Sequence, residues 1–226
     1  MNNAYITFKT CVNSINQLGC IHNRLQVDYP ILTEEISDLL RTQLVNIVSA
    51  MDRFIHEIVC VGIIEIYQGK RNRTSKWENT KLSFSNVLKL IEYEKQHISI
   101  GNSPSPIEEI ELISILNAEF KPVLKTLSFQ QIDKIKDALS YIWEDDHKLQ
   151  SIANSMTTVC GSTINQKQQY IKQQLQLIVN RRNTIVHEAD WDVTNNCRYR
   201  ISTSQVNEAI HFIEDFINAI YLNVKI

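Results

Sequence analysis

From Thr33 to Tyr67 the chain repeats apolar residues at helical spacing without a proline, and this stretch limits the fold more than any other. Leu44, Ile47, Val48, Met51, Ile55, Ile58 and Val59 share one face, while Ser49, Asp52, Arg53, His56 and Glu57 take the other. So long an amphipathic helix needs partners of comparable length. Only five glycines and four prolines occur in 226 residues, which favours uninterrupted helices over a turn-rich sheet. With 43% hydrophobic residues there is material for a real core.

The rest of the chain reads the same way. A helix is expected over Ala4 to Leu25, and Thr33 with Glu35 resembles a helix start after Pro30. Gly69 to Lys76 reads as a basic loop, and helical spacing resumes from Ser83 to Glu94. Ser103 to Pro106 is a break, followed by a helix ending near Leu127. Ser128 caps Phe129 to Trp143, and Asp145 starts a short segment. Beyond Gly161 a helix is predicted over Asn165 to Ala189. A polar excursion follows over Asp192 to Arg200, and Ser202 or Thr203 caps a last helix carrying Val206, Ile210, Phe212, Ile213, Phe216, Ile217 and Ile220. The expectation is one all-α domain, a helical bundle over 1–226, with 1–32 as a helical extension to a core of 33–226.

Bulk properties exclude several classes. A net charge of −2 speaks against a broad nucleic-acid platform while permitting a small local basic site. Cys11, Cys20, Cys60, Cys160 and Cys197 are odd in number and scattered, as in reduced intracellular proteins. No signal segment opens the chain, and the longest apolar stretch, around Ile58 to Ile66, is far shorter than a bilayer span, so a cytoplasmic protein without membrane contact is expected. Cys11, Cys20 and His22 fit no zinc spacing. There is no Gly-rich phosphate loop, nucleophile elbow or HExxH, so neither a metal nor a cofactor is expected.

Chemistry concentrates in Arg182-Asn183-Thr184-Ile185-Val186-His187. With Leu175 at zero and about 100° per residue, Ile178, Val179, Ile185, Val186 and Ala189 fall in one sector, and Arg182 lies near its centre. An unpaired guanidinium is costly to bury, so this position calls for an acid or for an anionic ligand. Asn183 and His187 are i,i+4 neighbours on the adjacent edge. Arginine matches phosphate oxygens, and imidazole, with an ordinary pKa of about 6.5, exchanges protons near neutrality. The cluster therefore suits phosphodiester chemistry on RNA, whose 2′-hydroxyl is a built-in nucleophile. Spacing alone equally allows Arg182 to pair with Asp52 or Glu57 while His187 caps helix carbonyls.

Arg182 and His187 also match the R-x4-6-H signature of HEPN domains, with the asparagine after the arginine that many of them show. Val179 to Asp190, Ala50 to Tyr67 and the segment from Ser128-Phe129-Gln130-Gln131 to Lys134-Ile135 resemble, in order, the RiboL-PSP-type HEPN family. That resemblance implies an α-helical bundle that dimerises, bringing two motifs into one composite cleft, and a metal-independent endoribonuclease of toxin, phage-defence or RNA-processing systems. Carried onto this chain, His187 is the general acid or base, Arg182 positions and stabilises the scissile phosphate, and Asn183 orients either partner. The products are a 2′,3′-cyclic phosphate and a 5′-hydroxyl. RNA, a second copy of the chain and an antitoxin or defence-system protein are the partners implied. HEPN toxins neutralised by a nucleotidyltransferase carry a tyrosine two residues after the histidine; Ala189 stands there, which argues against that mode of control. The alternative is a non-catalytic HEPN-like adaptor that dimerises or binds RNA or protein.

Three further groups are candidates. Asp52, His56 and Glu57 either support the cleft from behind or form a solvated helix face. Lys70, Arg73 and Arg181 either grip an RNA backbone or belong to the surface, as do Arg71 and Lys76. Trp77, Trp143 and Trp191 are expected as core or interface anchors rather than base-stacking platforms.

Overall fold

A computed structural model describes residues 1–81, 83–97, 114–116, 118 and 129–225. Its helices are α1 (Asn2–Asp28), α2 (Thr33–Tyr67), α3 (Ser75–Glu78), α4 (Phe84–His97), α5 (Ile132–Leu139), α6 (Lys148–Ser155), α7 (Ile164–His187) and α8 (Thr203–Val224). A 3-10 turn, Pro30–Leu32, joins α1 to α2, and a two-stranded antiparallel ribbon, β1 (Trp191–Asp192) with β2 (Cys197–Arg198), separates α7 from α8. The fold is all-α, with no other strand among the described residues.

The long helix read from the sequence is the hub. Along α2, Leu44, Ile47, Val48, Met51, Phe54, Ile55, Ile58, Val59 and Ile63 are buried, and α1, α5, α7 and α8 all pack against it. Gly62 permits a close crossing, because a Cβ there would stand 2.5 Å from Ile142 Cγ2. Residues 1–32 join the same core: α1 buries Ala4, Phe8, Val12 and Ile15 along α2 and α8. The last helix buries residues on most of its circumference, from Val206 and Phe212 through Phe216 and Ile220 to Val224.

Local signals account for several boundaries. Ser202, not Thr203, caps α8, with Gln205 completing a capping box, and Thr163 with Gln166 does the same for α7. Asp145 accepts from His147 N at 2.7 Å and from Ser151 Oγ at 2.8 Å just before α6. Between Phe129 and Trp143 only Ile132–Leu139 is α-helix; the flanks are turns and irregular chain. The expected break at Ser103 to Pro106, the helix expected to end near Leu127 and the Ser128 cap lie outside the described residues, apart from a helical stretch at 114–116.

The basic stretch is mostly structural. Thr74 caps α3 inside the expected loop. Arg71 bonds Glu65 at 3.1 Å, the Ile142 carbonyl at 3.2 Å and the Val224 carbonyl at 2.6 Å, tying three helix ends together. Lys76 pairs with Asp137 at 2.5 Å, and Arg73 lies 5.4 Å over the Trp77 ring. Trp77 and Trp143 pack on the core edge, whereas Trp191 is 43% exposed on the ribbon. Among the described residues all five cysteines are free thiols, no metal-ligand cluster forms, and no helix is long and apolar enough to cross a membrane.

Candidate active site

The site is built on the last turns of α7. Ile171, Leu175, Ile178 and Val179 pack that helix inward, and Arg182 follows on the same face, half-buried. The predicted sector is buried only in part: Val186 is 45% exposed. The helix also ends at His187, two residues earlier than the periodicity suggests. Ala189 (φ 52°) and Asp190 (φ 59°) then turn the chain back in the left-handed region. Asp190 drives that reversal, because its carboxylate is held beneath the helix end, as described below.

Arg182 has no carboxylate partner among the described residues. Its Nη1 donates to Asn183 Oδ1 at 3.0 Å, and its Nε is buried without a hydrogen-bond partner. The two acids that could have explained it are engaged elsewhere. Glu57 accepts from Arg53 at 2.7 Å, and Asp52 accepts the Phe129 amide at 2.7 Å while lying 3.5 Å from His56 Nε2. The pairing of Arg182 with Asp52 or Glu57 is therefore absent. Asn183 is half-buried beside Arg182, and His187, the final helical residue, is exposed. Arginine, amide and imidazole thus share one helix end with donors uncommitted to the fold. That is the arrangement an anionic oxygen requires.

The remaining sequence candidates stand elsewhere. Asp190 fixes the end of α7 near Arg41 of α2. From Arg41, Asp52 to Glu57 lie 11 to 16 residues along α2, roughly 16–24 Å at 1.5 Å per residue. These residues brace the start of the Phe129 segment, with His56 4.4 Å from the Phe129 ring, and their hydrogen bonds and ion pairs go to Phe129, to Arg53 and to one another. Arg181 is committed to the fold: its Nη2 donates to Asp190 Oδ2 at 2.8 Å and its Nη1 lies 2.6 Å from Oδ1. Burial and the neighbouring Arg41 pull the Arg181 pKa below its ordinary value, against the opposing pull of Asp190. Arg73 and Lys70 lie just past the opposite, C-terminal end of α2.

Sequence reasoning missed Arg41 and Asp190. Arg41 is 3% exposed and Asp190 fully buried; Arg41 Nε donates to Asp190 Oδ2 at 2.6 Å. The available signal was the one that singled out Arg182, a cation interrupting an apolar stripe, here between Leu40 and Leu44. A cavity of about 610 Å³ lies on the other flank of α7, between Leu44, Ile178, Arg181, Val206 and Phe212. It contains none of the motif's three polar residues, since Asn183 is about 200° from Arg181 around the helix.

The fold is a helical bundle, and it gathers a half-buried arginine, a half-buried amide and an exposed histidine at the end of one helix. The model of one family, RiboL-PSP-HEPN, matches residues 12–224, and the chain belongs to that family. Its all-α fold is the one that membership implies, and HEPN domains are generally RNases that bind RNA and dimerise. No curated protein and no solved structure matches the chain.

Proposed function

We propose that this protein is a metal-independent endoribonuclease that works as a homodimer, in a toxin or phage-defence setting. The observation that carries the reading is the half-buried Arg182, without an acid partner, beside Asn183 and His187. In the reaction the ribose 2′-oxygen attacks phosphorus, the new 2′-O–P bond forms and the P–O5′ bond breaks. The 2′-hydroxyl proton passes to one His187 and the 5′-oxygen receives a proton from the other, so two copies supply base and acid. Arg182 takes the charge that builds on the phosphorane oxygens, and the Asn183 amide holds the arginine in place.

Support for two copies also comes from the surface. Most apolar residues of α8 are buried within the protomer and leave little of that helix for a partner. Exposed apolar residues stand beside the motif, with Val186 at 45%, Trp191 at 43% and Val193 at 85%, as they also do at the α1–α2 turn, with Val27 at 80% and Ile31 at 94%.

The chemistry makes a specific demand on the substrate. Replacing the ribose 5′ of the scissile phosphate by deoxyribose abolishes cutting, chelators leave it unchanged, and His187→Ala removes it from a protein that remains a folded dimer. Cutting of the deoxy substrate, or loss of activity in EDTA, overturns the mechanism. A monomer in size-exclusion chromatography with light scattering overturns the shared cleft.

A further inference from the structure

We propose that Asp190 and Arg41 are positioning residues of this site, acting on Arg182, Asn183 and His187 through the end of α7. The inference rests on the ribonuclease reading above. The observations are those of a clamp. One fully buried carboxylate receives Arg41 Nε at 2.6 Å from α2 and Arg181 Nη2 at 2.8 Å from α7. Arg41 Nη2 goes on to the Tyr199 carbonyl at 2.9 Å, and Arg181 Nη2 reaches the Arg200 carbonyl at 3.2 Å. Ser37 Oγ accepts from Arg41 Nη1, and Glu34 and Asp38 stand 3.4 Å away on its open side. Two helices and the strand returning from the ribbon are thus joined at one point.

The clamp bears on the motif through the backbone. Asp190 N donates to Thr184 O at 3.1 Å, Glu188 N donates to the same oxygen at 3.0 Å, and Tyr199 N donates to Asp190 O at 2.8 Å. These bonds end the helix at His187, whose imidazole has no partner of its own among the described residues. Its position follows from the backbone alone. Arg181 is also the residue before Arg182, so holding its guanidinium sets the rotation of the turn from which Arg182 and Asn183 project. A buried ionic cluster adds little net stability over an apolar one, and in some proteins such a cluster fixes a unique geometry. A shift of about 1 Å in a reacting group costs on the order of 100-fold in rate.

Asp190→Asn separates positioning from charge. It removes one negative charge near the motif, so RNA binding holds or tightens while the helix end loosens. The expected result is a kcat at least about tenfold lower with KM unchanged or reduced. Amide exchange is expected to accelerate at Val186 to Glu188 but not in α8. Arg41→Lys, which keeps the charge and loses the fork, gives a smaller fall in kcat of the same kind and carries the test if Asp190→Asn does not fold. A kcat within twofold of wild type in a folded variant overturns the proposal, and so does a fall that matches the loss of folded protein. If the wild-type protein cuts no RNA, the ribonuclease reading fails, and local exchange at Val186 to Glu188 alone decides the clamp.

Discussion

Arg181 and Arg182 are neighbours on one helix, yet the same substitution in each is expected to move stability in opposite directions. Arg182→Met removes a guanidinium whose Nε is buried and unpartnered. Releasing a buried, unsatisfied donor is worth about 1–3 kcal/mol, and the lost Nη1 bond to Asn183 costs about 0.5–1.5 kcal/mol. Methionine is as good a helix former as arginine and suits a position flanked by Ile178 and Ile185. The balance is a gain of about 1 kcal/mol, or about 2–4 °C in Tm for a chain of this size. Arg181→Met instead takes one of two cations from the buried Asp190. Removing one partner of a buried ion pair costs about 3–5 kcal/mol; Arg41 still holds Asp190, so the loss falls toward the lower end.

Calorimetry and urea unfolding followed by circular dichroism measure both variants, with RNA cleavage assayed alongside. Arg182→Met is expected to melt higher than wild type and to cut nothing, the signature of a group kept for chemistry at the expense of the fold. A loss of 3 kcal/mol or more from Arg182→Met refutes the reasoning. It would mean that Arg182 holds the helices together, the role it has in the adaptor alternative.

Two further outcomes test the scaffold. Gly62→Ala gains about 1 kcal/mol of helix propensity. It sets a methyl 2.5 and 2.8 Å from Ile142 and 2.9 Å from Met1, an overpacking worth about 1–3 kcal/mol, so urea unfolding should show a net loss and a gain would sink the crossing argument. Ala189→Gly relieves a left-handed φ of 52° and should raise stability by roughly 0.5–1 kcal/mol, read as Tm; an unchanged or lower Tm means the turn carries no strain at that residue.

The fold was legible wherever the signal is local. The period of α2 and α8, the cap at Ser202, the short segment that begins at Asp145 and the break at Gly161 all act within a few residues, and the structure keeps each of them. The end of α7 was not legible. Helical periodicity carries Ala189 onto the Ile178 face, and nothing nearby announces a reversal, since neither Ala189 nor Asp190 is the glycine usual in that conformation. The reversal is imposed by Arg41, 149 residues away in the chain. A wheel of one helix has no access to such a contact. For the same reason Arg181 read as a surface cation free for RNA, while its partner lay nine residues on, beyond the helix end.

The two arginines set into apolar stripes, Arg41 and Arg182, pose the same physical problem and resolve it differently. Each puts a permanent cation where the helix otherwise presents Leu, Ile or Val to the core. Arg41 is 3% exposed and tolerable because a fully buried carboxylate, the Tyr199 carbonyl and Ser37 surround it, with Glu34 and Asp38 3.4 Å away. Arg182 is less deeply placed, stops at the rim beside Asn183 and has only that amide. Were both arginines structural, the chain would have solved the second as it solved the first, with an acid on α2 facing the helix. It places Leu40 and Leu44 on that stretch of the stripe, and Asp190, the one buried acid among the described residues, serves the clamp. The charge on Arg182 is therefore balanced by nothing within the described fold. On the proposed reading, a ligand bearing negative oxygens completes it.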